Sequence, residues 1–161
     1  MKLRKLQKKD APLMLEWMHD DDVVRDLKAD FKSKTIDDCL SFIEAAQDCS
    51  ESLHLAIADD NDEYMGTASL KHISGGKAEF GISMRKCAMG KGFSRFGMRE
   101  IIRLGFEEYG LREVYWCVDP INARAVRFYD KNGYQRCAPP ESVRGYSEEE
   151  KQSFLWYCVK K

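Results

Sequence analysis

The spacing of apolar positions changes along the chain. It is helical in the first 50 residues, alternates as in strands in the middle, and switches between the two patterns from residue 90 onwards. At the start, Leu3–Leu6 predicts a short strand, and Asp10 is placed to cap an amphipathic helix. The acidic stretch that follows, as far as Phe31, predicts a second short helix and a loop. The sequence Thr-Ile-Asp-Asp that begins Thr35–Gln47 resembles a capping box and predicts a third helix.

Three segments of the middle region have strand character and are separated by short turn sequences. They are Leu53–Ala58, Tyr64–Ile73 and Lys77–Met84. An acidic cluster separates the first two, and Ser74-Gly75-Gly76 closes the second. Because sequential strands with short turns pair with their neighbours, this region predicts an antiparallel meander.

Helices and strands alternate from residue 90 onwards. The pattern predicts a helix over Gly90–Tyr109, a strand over Glu113–Val118, a helix over Asn122–Lys131, and strands over Tyr134–Cys137 and Phe154–Val159. Strand, helix and strand at this spacing imply a parallel crossover at the centre of a mixed sheet. The predicted fold is therefore α/β, in a single domain spanning residues 1–161.

Composition narrows the function classes. The 161 residues carry a net charge of -1, so there is no basic field to hold nucleic acid or an anionic membrane. No apolar run approaches the roughly 18 residues of a membrane span, and the N-terminus lacks signal-peptide features. We expect a cytoplasmic protein that binds neither nucleic acid nor membrane.

The cysteine pattern argues against a metal site or a disulfide framework. The six cysteines include no C-x-x-C pair and no neighbouring histidine, although structural zinc sites need close ligand pairs. Most of them lie among apolar residues, as in Tyr115-Trp116-Cys117-Val118. We expect small buried side chains in a reducing compartment, and no metal.

A glycine-containing segment, Met89-Gly90-Lys91-Gly92-Phe93-Ser94, follows a predicted strand and opens the long predicted helix. A helix N-terminus offers unpaired N–H groups and a partial positive charge, which together bind anions. Glycines let the backbone approach a pyrophosphate without side-chain clash. Neither the P-loop nor the dinucleotide-binding glycine pattern is present. The alternative interpretation is a glycine-rich turn that only caps the helix.

This segment resembles the phosphate motif [QR]-x-x-G-x-[GA] of the GNAT superfamily of acetyl-CoA-dependent N-acetyltransferases. Met89 replaces the usual Gln or Arg, and Ser94 replaces Gly or Ala, while the backbone amides remain. A second family motif, N-x-x-A-x-x-x-Y-x-x-x-G-[FY], is matched at every specified position, at Asn122, Ala125, Tyr129, Gly133 and Tyr134. The resemblance covers the chain from about Tyr64 to its end, and the N-terminal third is more loosely similar to the RimJ/RimL-type branch.

The resemblance implies a GNAT-like fold, with a mostly antiparallel sheet of about seven strands, a splayed parallel centre and flanking helices. It implies that Ile82-Ser83-Met84 holds the pantetheine arm of acetyl-CoA by backbone hydrogen bonds, and that Met89–Ser94 holds the pyrophosphate. Asn122 would contact the cosubstrate beyond the splay, and Tyr129 would protonate the departing thiolate. A phenol with a pKa near 10 is protonated at pH 7. The alternative is that Tyr129 only packs in the core.

A general base is needed when the acceptor amine is protonated at neutral pH. Glu79 is the candidate, because Ala78–Ile82 resembles the segment where many family members place a glutamate. The alternative is an outward-facing strand carboxylate. His54 and His72 on neighbouring strands are rival bases, and His19 is a candidate for lining an acceptor pocket.

Acceptor recognition in this fold usually falls to the first two helices and the loop before the last strand, here Trp17–Phe31 and Pro139–Glu150. Both segments are acidic, which favours a cationic acceptor such as a polyamine. The simpler interpretation is a solvated helix start and a surface loop. Residues able to stack on or clasp a sugar nucleotide are Trp17, Arg25, Arg144 and Tyr146.

These observations together predict an N-acetyltransferase acting on a small-molecule primary amine, either an amino sugar or sugar nucleotide, or a polyamine or antibiotic. Acetylation of a protein N-terminus is the alternative that the RimJ/RimL-type likeness suggests. A non-catalytic CoA-binding regulatory domain is a third; Met89 favours it, and the retained Tyr129 and Asn122 oppose it. Dimers are common in the family, so a homodimer is an expectation from the resemblance alone.

Overall fold

The computed structural model describes residues 1–141 and 143–161, and its elements follow the predicted order. The strands are β1 (Lys2–Lys5), β2 (Leu53–Ala58), β3 (Tyr64–Ser74), β4 (Lys77–Met84), β5 (Glu113–Val118), β6 (Gln135–Arg136) and β7 (Leu155–Lys160). The helices are α1 (Ala11–Met18), α2 (Asp21–Val24), α3 (Ile36–Ala45), α4 (Phe93–Glu108), α5 (Ala123–Lys131) and α6 (Glu148–Ser153). No helix in these two ranges is long and apolar enough to cross a membrane.

The described strands form one seven-stranded sheet in the order β1-β2-β3-β4-β5-β7-β6. Strands β1 to β4 are the predicted antiparallel meander. The pair β4 and β5 is parallel, and β7 lies antiparallel between β5 and β6. The predicted mixed, mostly antiparallel sheet with helices on its faces is confirmed.

The core lies on both faces of this sheet. Consecutive residues of a strand point to opposite faces, and Ile57 packs with α4 whereas Ala56 packs with α1 and α3. On β5, Trp116 shares the α4 and α5 face, while Tyr115 packs with Val143 and Trp156 on the other. The central strands are therefore buried on both sides, and a buried side chain can approach β4 or β5 from either face.

Two local predictions need correction. Asp10 precedes α1 as predicted, but its side chain does not cap that helix. It lies buried and accepts hydrogen bonds from Arg4 Nη1 and Nη2, at 2.7 and 2.8 Å, and from the Gln7 N–H at 2.9 Å. The expected loop before the last strand instead contains α6, where Ser147 and Glu150 form a capping box. A serine three residues before a glutamate is the sequence signal for that helix start.

We expect Gly66→Ala on β3 to destabilise the protein by about 1–3 kcal/mol, the usual cost of overpacking a well-packed site. A Cβ atom at Gly66 would lie 2.4 Å from the Ser83 carbonyl oxygen, and this backbone atom cannot move without disturbing β4. Urea unfolding measures the difference. Gly81→Ala is the matched control, because its nearest contact is the flexible end of Lys71 at 3.3 Å. Equal losses in the two variants would contradict the steric explanation.

Candidate functional site

The parallel strands β4 and β5 separate partway along their length. Their ladder runs from Lys77 opposite Glu113 to Glu79 opposite Tyr115 and then ends, although β4 continues to Met84. One edge of residues 80–84 is therefore left without a strand partner. A cleft of about 750 Å³ occupies this gap and extends from α2 to α5.

The glycine-containing loop lies at one end of this cleft. Gly90 and Gly92 have φ angles of +74° and +86°, a conformation that side chains disfavour, so the loop needs both glycines. In the first turn of α4, the N–H groups of residues 93–95 donate no hydrogen bond to a backbone carbonyl of the described residues. Unpaired N–H groups at a helix N-terminus are the donors that bind anions.

The loop residues do not all contribute in the same way. Met89, Gly90 and Ser94 line the cleft, whereas Lys91, Gly92 and Phe93 do not. Gly92 is the N-cap of α4 and the Phe93 side chain is buried in the core. Gly92 and Phe93 therefore shape the loop, and any contact they make with a ligand comes from their backbone.

The strand residues and the asparagine predicted to contact a cosubstrate all line the cleft. Ile82, Ser83 and Met84 lie on the part of β4 that pairs with β3 but not with β5. Asn122 is buried at the N-cap of α5, where its Oδ1 atom accepts the Ala125 N–H at 3.1 Å. Since the oxygen is used in capping, the Asn122 NH₂ group is the part left to contact a ligand.

Tyr129 on α5 borders the cleft from the α5 face of the sheet. Its ring packs against Trp116, Tyr157 and Phe128, with centroids 5.2–5.4 Å apart. Burial raises its pKa well above the usual value for tyrosine, so the phenol stays protonated at neutral pH. The Tyr129 hydroxyl makes no hydrogen bond to the described residues, and it is not among their fully buried polar atoms that lack a partner. The hydroxyl is therefore open to the cleft.

Glu79 lies on the last paired rung of β4, on the opposite face from Tyr129. It is 3% exposed and lines the cleft, so the outward-facing alternative is wrong. Its Oε1 atom accepts hydrogen bonds from Lys71 Nζ at 3.0 Å and Tyr146 Oη at 2.8 Å. A buried carboxylate needs such partners. Its Oε2 atom lies 3.7 Å from His72 Nε2.

A β-bulge in β3 brings Lys71 to Glu79. The two-residue turn at Gly75-Gly76 pairs Ser74 with Lys77, and an unbroken ladder would pair Lys71 with Phe80. The register instead shifts between Lys71 and Ser74, where His72 has a φ of +54°. Lys71 therefore lies opposite Glu79, on the same face of the sheet.

The far end of the cleft, which we call the acceptor end, is lined by residues of two separate segments. They are Arg25, Asp26, Leu27, Lys28 and Phe31 from the segment after α2, and Tyr146, Glu150 and Phe154 from the segment around α6. Lys28 joins the two segments, because its Nζ donates to the Gly145 carbonyl and the Glu150 carboxylate and lies 4.7 Å from the Tyr146 ring centroid. Sequence reasoning missed Lys28 and Lys71.

Arg124 on α5 lies beside Met89 at the loop end of the cleft. Its Nη1 is 3.3 Å from Met89 Sδ and 3.4 Å from the Asp22 carbonyl oxygen. Both side chains line the cleft, and the described residues give Arg124 no ion pair within 4.0 Å. A cationic side chain therefore stands next to the position where the family motif has Gln or Arg. Arg124 lies within the matched helix motif, between Asn122 and Ala125, but at a position where the motif specifies no residue type.

Several sequence candidates lie away from the cleft. Trp17 is buried and donates to the Tyr64 hydroxyl, so it cannot stack on a ligand. His19 bonds to the Lys34 carbonyl at 2.8 Å and does not line an acceptor pocket. His54 bonds to Ser69 at 2.8 Å, and burial lowers its pKa. Arg144 is exposed and outside the cleft lining.

Most of the acidic side chains in the two predicted acceptor segments have structural partners. Asp20 caps α2, Asp22 pairs with Lys86, and Asp30 accepts from Ser33. Of these segments' acids, only Asp26 and Glu150 line the cleft as the structure describes it. The same two described ranges contain no group of three His, Cys, Asp or Glu side chains able to hold a metal ion.

Comparison with known proteins gives the following findings. A family model described as an acetyltransferase (GNAT) domain matches residues 1–135. An uncharacterized N-acetyltransferase, p20, from Bacillus licheniformis is 23% identical over 140 residues, which cover 83% of this chain and 78% of that protein. The structure of spermidine N-acetyltransferase from Vibrio cholerae in complex with CoA and spermine is 18% identical with a TM-score of 0.77, covering 99% and 94% of the chains. PaiA N-acetyltransferase from Thermoplasma acidophilum in complex with coenzyme A is 19% identical with a TM-score of 0.74, covering 99% and 98%.

Proposed function

This chain belongs to the acetyltransferase (GNAT) family, and from that premise we propose that it transfers an acetyl group from acetyl-CoA to the primary amine of a small molecule. One observation carries the proposal. A protonated phenol, Tyr129, and a buried carboxylate, Glu79, border the gap between β4 and β5 from opposite faces of the sheet. The similar solved structure named as a spermidine N-acetyltransferase in complex with CoA and spermine supports a small amine as acceptor.

The residues of the cleft fit acetyl-CoA. The free N–H groups of residues 93–95 would hold the pyrophosphate, and the unpaired edge of Ile82–Met84 would hold the pantetheine arm. The Asn122 NH₂ group would contact the same arm beyond the gap. When bound, acetyl-CoA supplies an activated acyl group as a thioester.

The positions of the two side chains support a catalytic role for each. Glu79 would accept a proton from the acceptor ammonium group, directly or through a water molecule. A lysine-like amine is neutral in only about one molecule in 2,500 at pH 7, and only the neutral amine can attack the thioester. A base that removes the proton therefore accelerates the reaction. Tyr129 would donate its proton to the thiolate that leaves on the other face. No metal takes part in this scheme.

A mass-spectrometric acetyl-transfer screen tests the proposal. The protein is incubated with acetyl-CoA and a panel of amino sugars, sugar-nucleotide amines, monoamines, polyamines, aminoglycosides and N-terminal peptides. We expect a small amine to gain an acetyl group far faster than any peptide. A peptide preferred over every small amine would favour the RimJ/RimL-type alternative. Thermal stabilisation by acetyl-CoA with no product from any amine would favour a domain that only binds CoA.

We expect Arg124→Met to weaken CoA binding about tenfold, because an exposed guanidinium would contribute one charge-assisted contact to the phosphates. Calorimetric titration of CoA measures the change, which should shrink in high salt. Arg127→Met, on the same helix but outside the cleft, is the matched control.

Restoring the cation at the neighbouring position provides the decisive comparison. Met89→Arg in the Arg124→Met background should recover most of the lost affinity, because it places a guanidinium beside the vacated position, where the family motif has Gln or Arg. Equal CoA affinity in wild type and Arg124→Met would contradict the assignment of Arg124 and leave the acetyltransferase proposal standing.

A further inference from the structure

Lys28 places one of the chain's own ammonium groups at the acceptor end of the cleft. Its Nζ donates to the Gly145 carbonyl at 2.8 Å and lies 2.8 and 2.9 Å from the two Glu150 carboxylate oxygens. The Tyr146 ring lies on another side, with its centroid 4.7 Å away. A carboxylate, a carbonyl and an aromatic face are the groups that would otherwise bind a ligand ammonium. Lys28 already uses all three.

The other carboxylates near this end are also paired. Glu79 accepts from Lys71 at 3.0 Å, and Asp26 lies 3.7 Å from Arg25. The fourth carboxylate of the described cleft lining, Asp119, accepts the Ile121 N–H at 3.0 Å near α5. Each carboxylate at the acceptor end therefore has a basic partner from the chain itself.

This charge balance decides which amines fit. The acetylated amine itself loses a proton at Glu79, but a second ammonium group on the acceptor would keep its charge. It would lie near Lys28 or Lys71 with no carboxylate left to pair with, and like charges in a partly desolvated cleft repel each other. Apolar contact area is available instead, from Phe31 and Phe154.

We propose that the acceptor carries a single amine on an uncharged alkyl or ring-containing body, and that Lys28 excludes diamines and polyamines. This inference rests on the proposed acetyltransferase function and specifies its substrate class. Removing the Lys28 charge frees the Glu150 carboxylate and the Tyr146 ring, which would then accept a second ammonium group. Selectivity between amines of equal size thus becomes the measurable property.

Pentylamine and 1,4-diaminobutane are the probes, because they differ only in a terminal methyl or ammonium group. We expect wild-type kcat/KM to favour pentylamine over the diamine at least about tenfold, equivalent to about 1.4 kcal/mol, with 2-phenylethylamine also preferred over spermidine. In Lys28→Met the preference for pentylamine should fall by about tenfold. Lys32→Met, a nearby lysine that pairs with Asp21 outside the cleft, should retain the wild-type ratio.

Binding provides a second measurement that does not depend on turnover or on a variant. Calorimetric titration of the two amines onto wild-type protein saturated with CoA should show tighter binding of pentylamine. Tighter binding or faster acetylation of the diamine or spermidine by wild type would overturn the inference, as would an unchanged ratio in Lys28→Met. Absence of both CoA binding and any acetylated product would instead count against the proposed function.

Discussion

Tyr129→Phe should lower kcat about 100-fold while changing CoA affinity less than about twofold, the lower part of the range for losing a general acid. Phenylalanine keeps the ring that packs against Trp116 and Tyr157 and removes only the hydroxyl that opens to the cleft. A rate effect without a binding effect identifies a group that acts in the transition state. The measurements are kcat at saturating acetyl-CoA, CoA titration, and the melting temperature.

Tyr134→Phe is the matched control for this change. Tyr134 belongs to the same aromatic cluster, with its ring 5.2 Å from Trp116, but it does not line the cleft. Its variant should keep near wild-type kcat. Because burial raises the pKa of Tyr129 well above its usual value, ionisation of this phenol should not reduce the wild-type rate between pH 7 and 9. Unchanged turnover in Tyr129→Phe would remove the tyrosine from the mechanism.

The parts of this site that depend on local sequence were predictable. The segment that carries Asn122 and Tyr129 matches a fixed motif, and Ala125 and Tyr129, four residues apart on α5, share a face of the helix. The loop at Gly90 and Gly92 was predictable because glycine permits a close backbone approach, and in the structure both glycines also have positive φ angles. Short turn sequences likewise predicted the antiparallel pairing of strands β2, β3 and β4, which form the sheet up to the gap beside β4.

The two segments that line the acceptor end were predicted from the sequence, but the contacts between them were not, because these contacts join residues far apart in the chain. Lys28 reaches Glu150 and Gly145, and Tyr146 reaches Glu79, and no periodicity encodes such pairs. Lys71 lies opposite Glu79 only because a bulge shifts the register. The acidic runs could not decide between a cationic acceptor and a solvated surface for the same reason: composition showed the carboxylates but not the lysines that pair with them.

Glu79→Gln gives the second large effect, and its pH dependence distinguishes a base from a structural carboxylate. We expect kcat/KM for an alkylamine to fall about 100-fold at pH 7, within the range for losing a general base. Glutamine retains an oxygen that can accept from Lys71 or Tyr146 but cannot take a proton. The variant must then rely on amine that is already neutral, and that fraction rises tenfold per pH unit below a pKa of about 10.4.

The loss should therefore shrink steadily as the pH rises from 7 towards 10, and a pH series of kcat/KM measures it. Glu113→Gln is the matched control, since this carboxylate also lies on the parallel pair, 3.6 Å from Lys77, but outside the cleft. A deficit of the same size at every pH would assign Glu79 the role of positioning Lys71 and Tyr146. Recovery of the Glu79→Gln kcat/KM at high pH would instead show that Glu79 removes a proton from the acceptor. Loss of the contacts with Lys71 and Tyr146 would not depend on the protonation state of the acceptor amine.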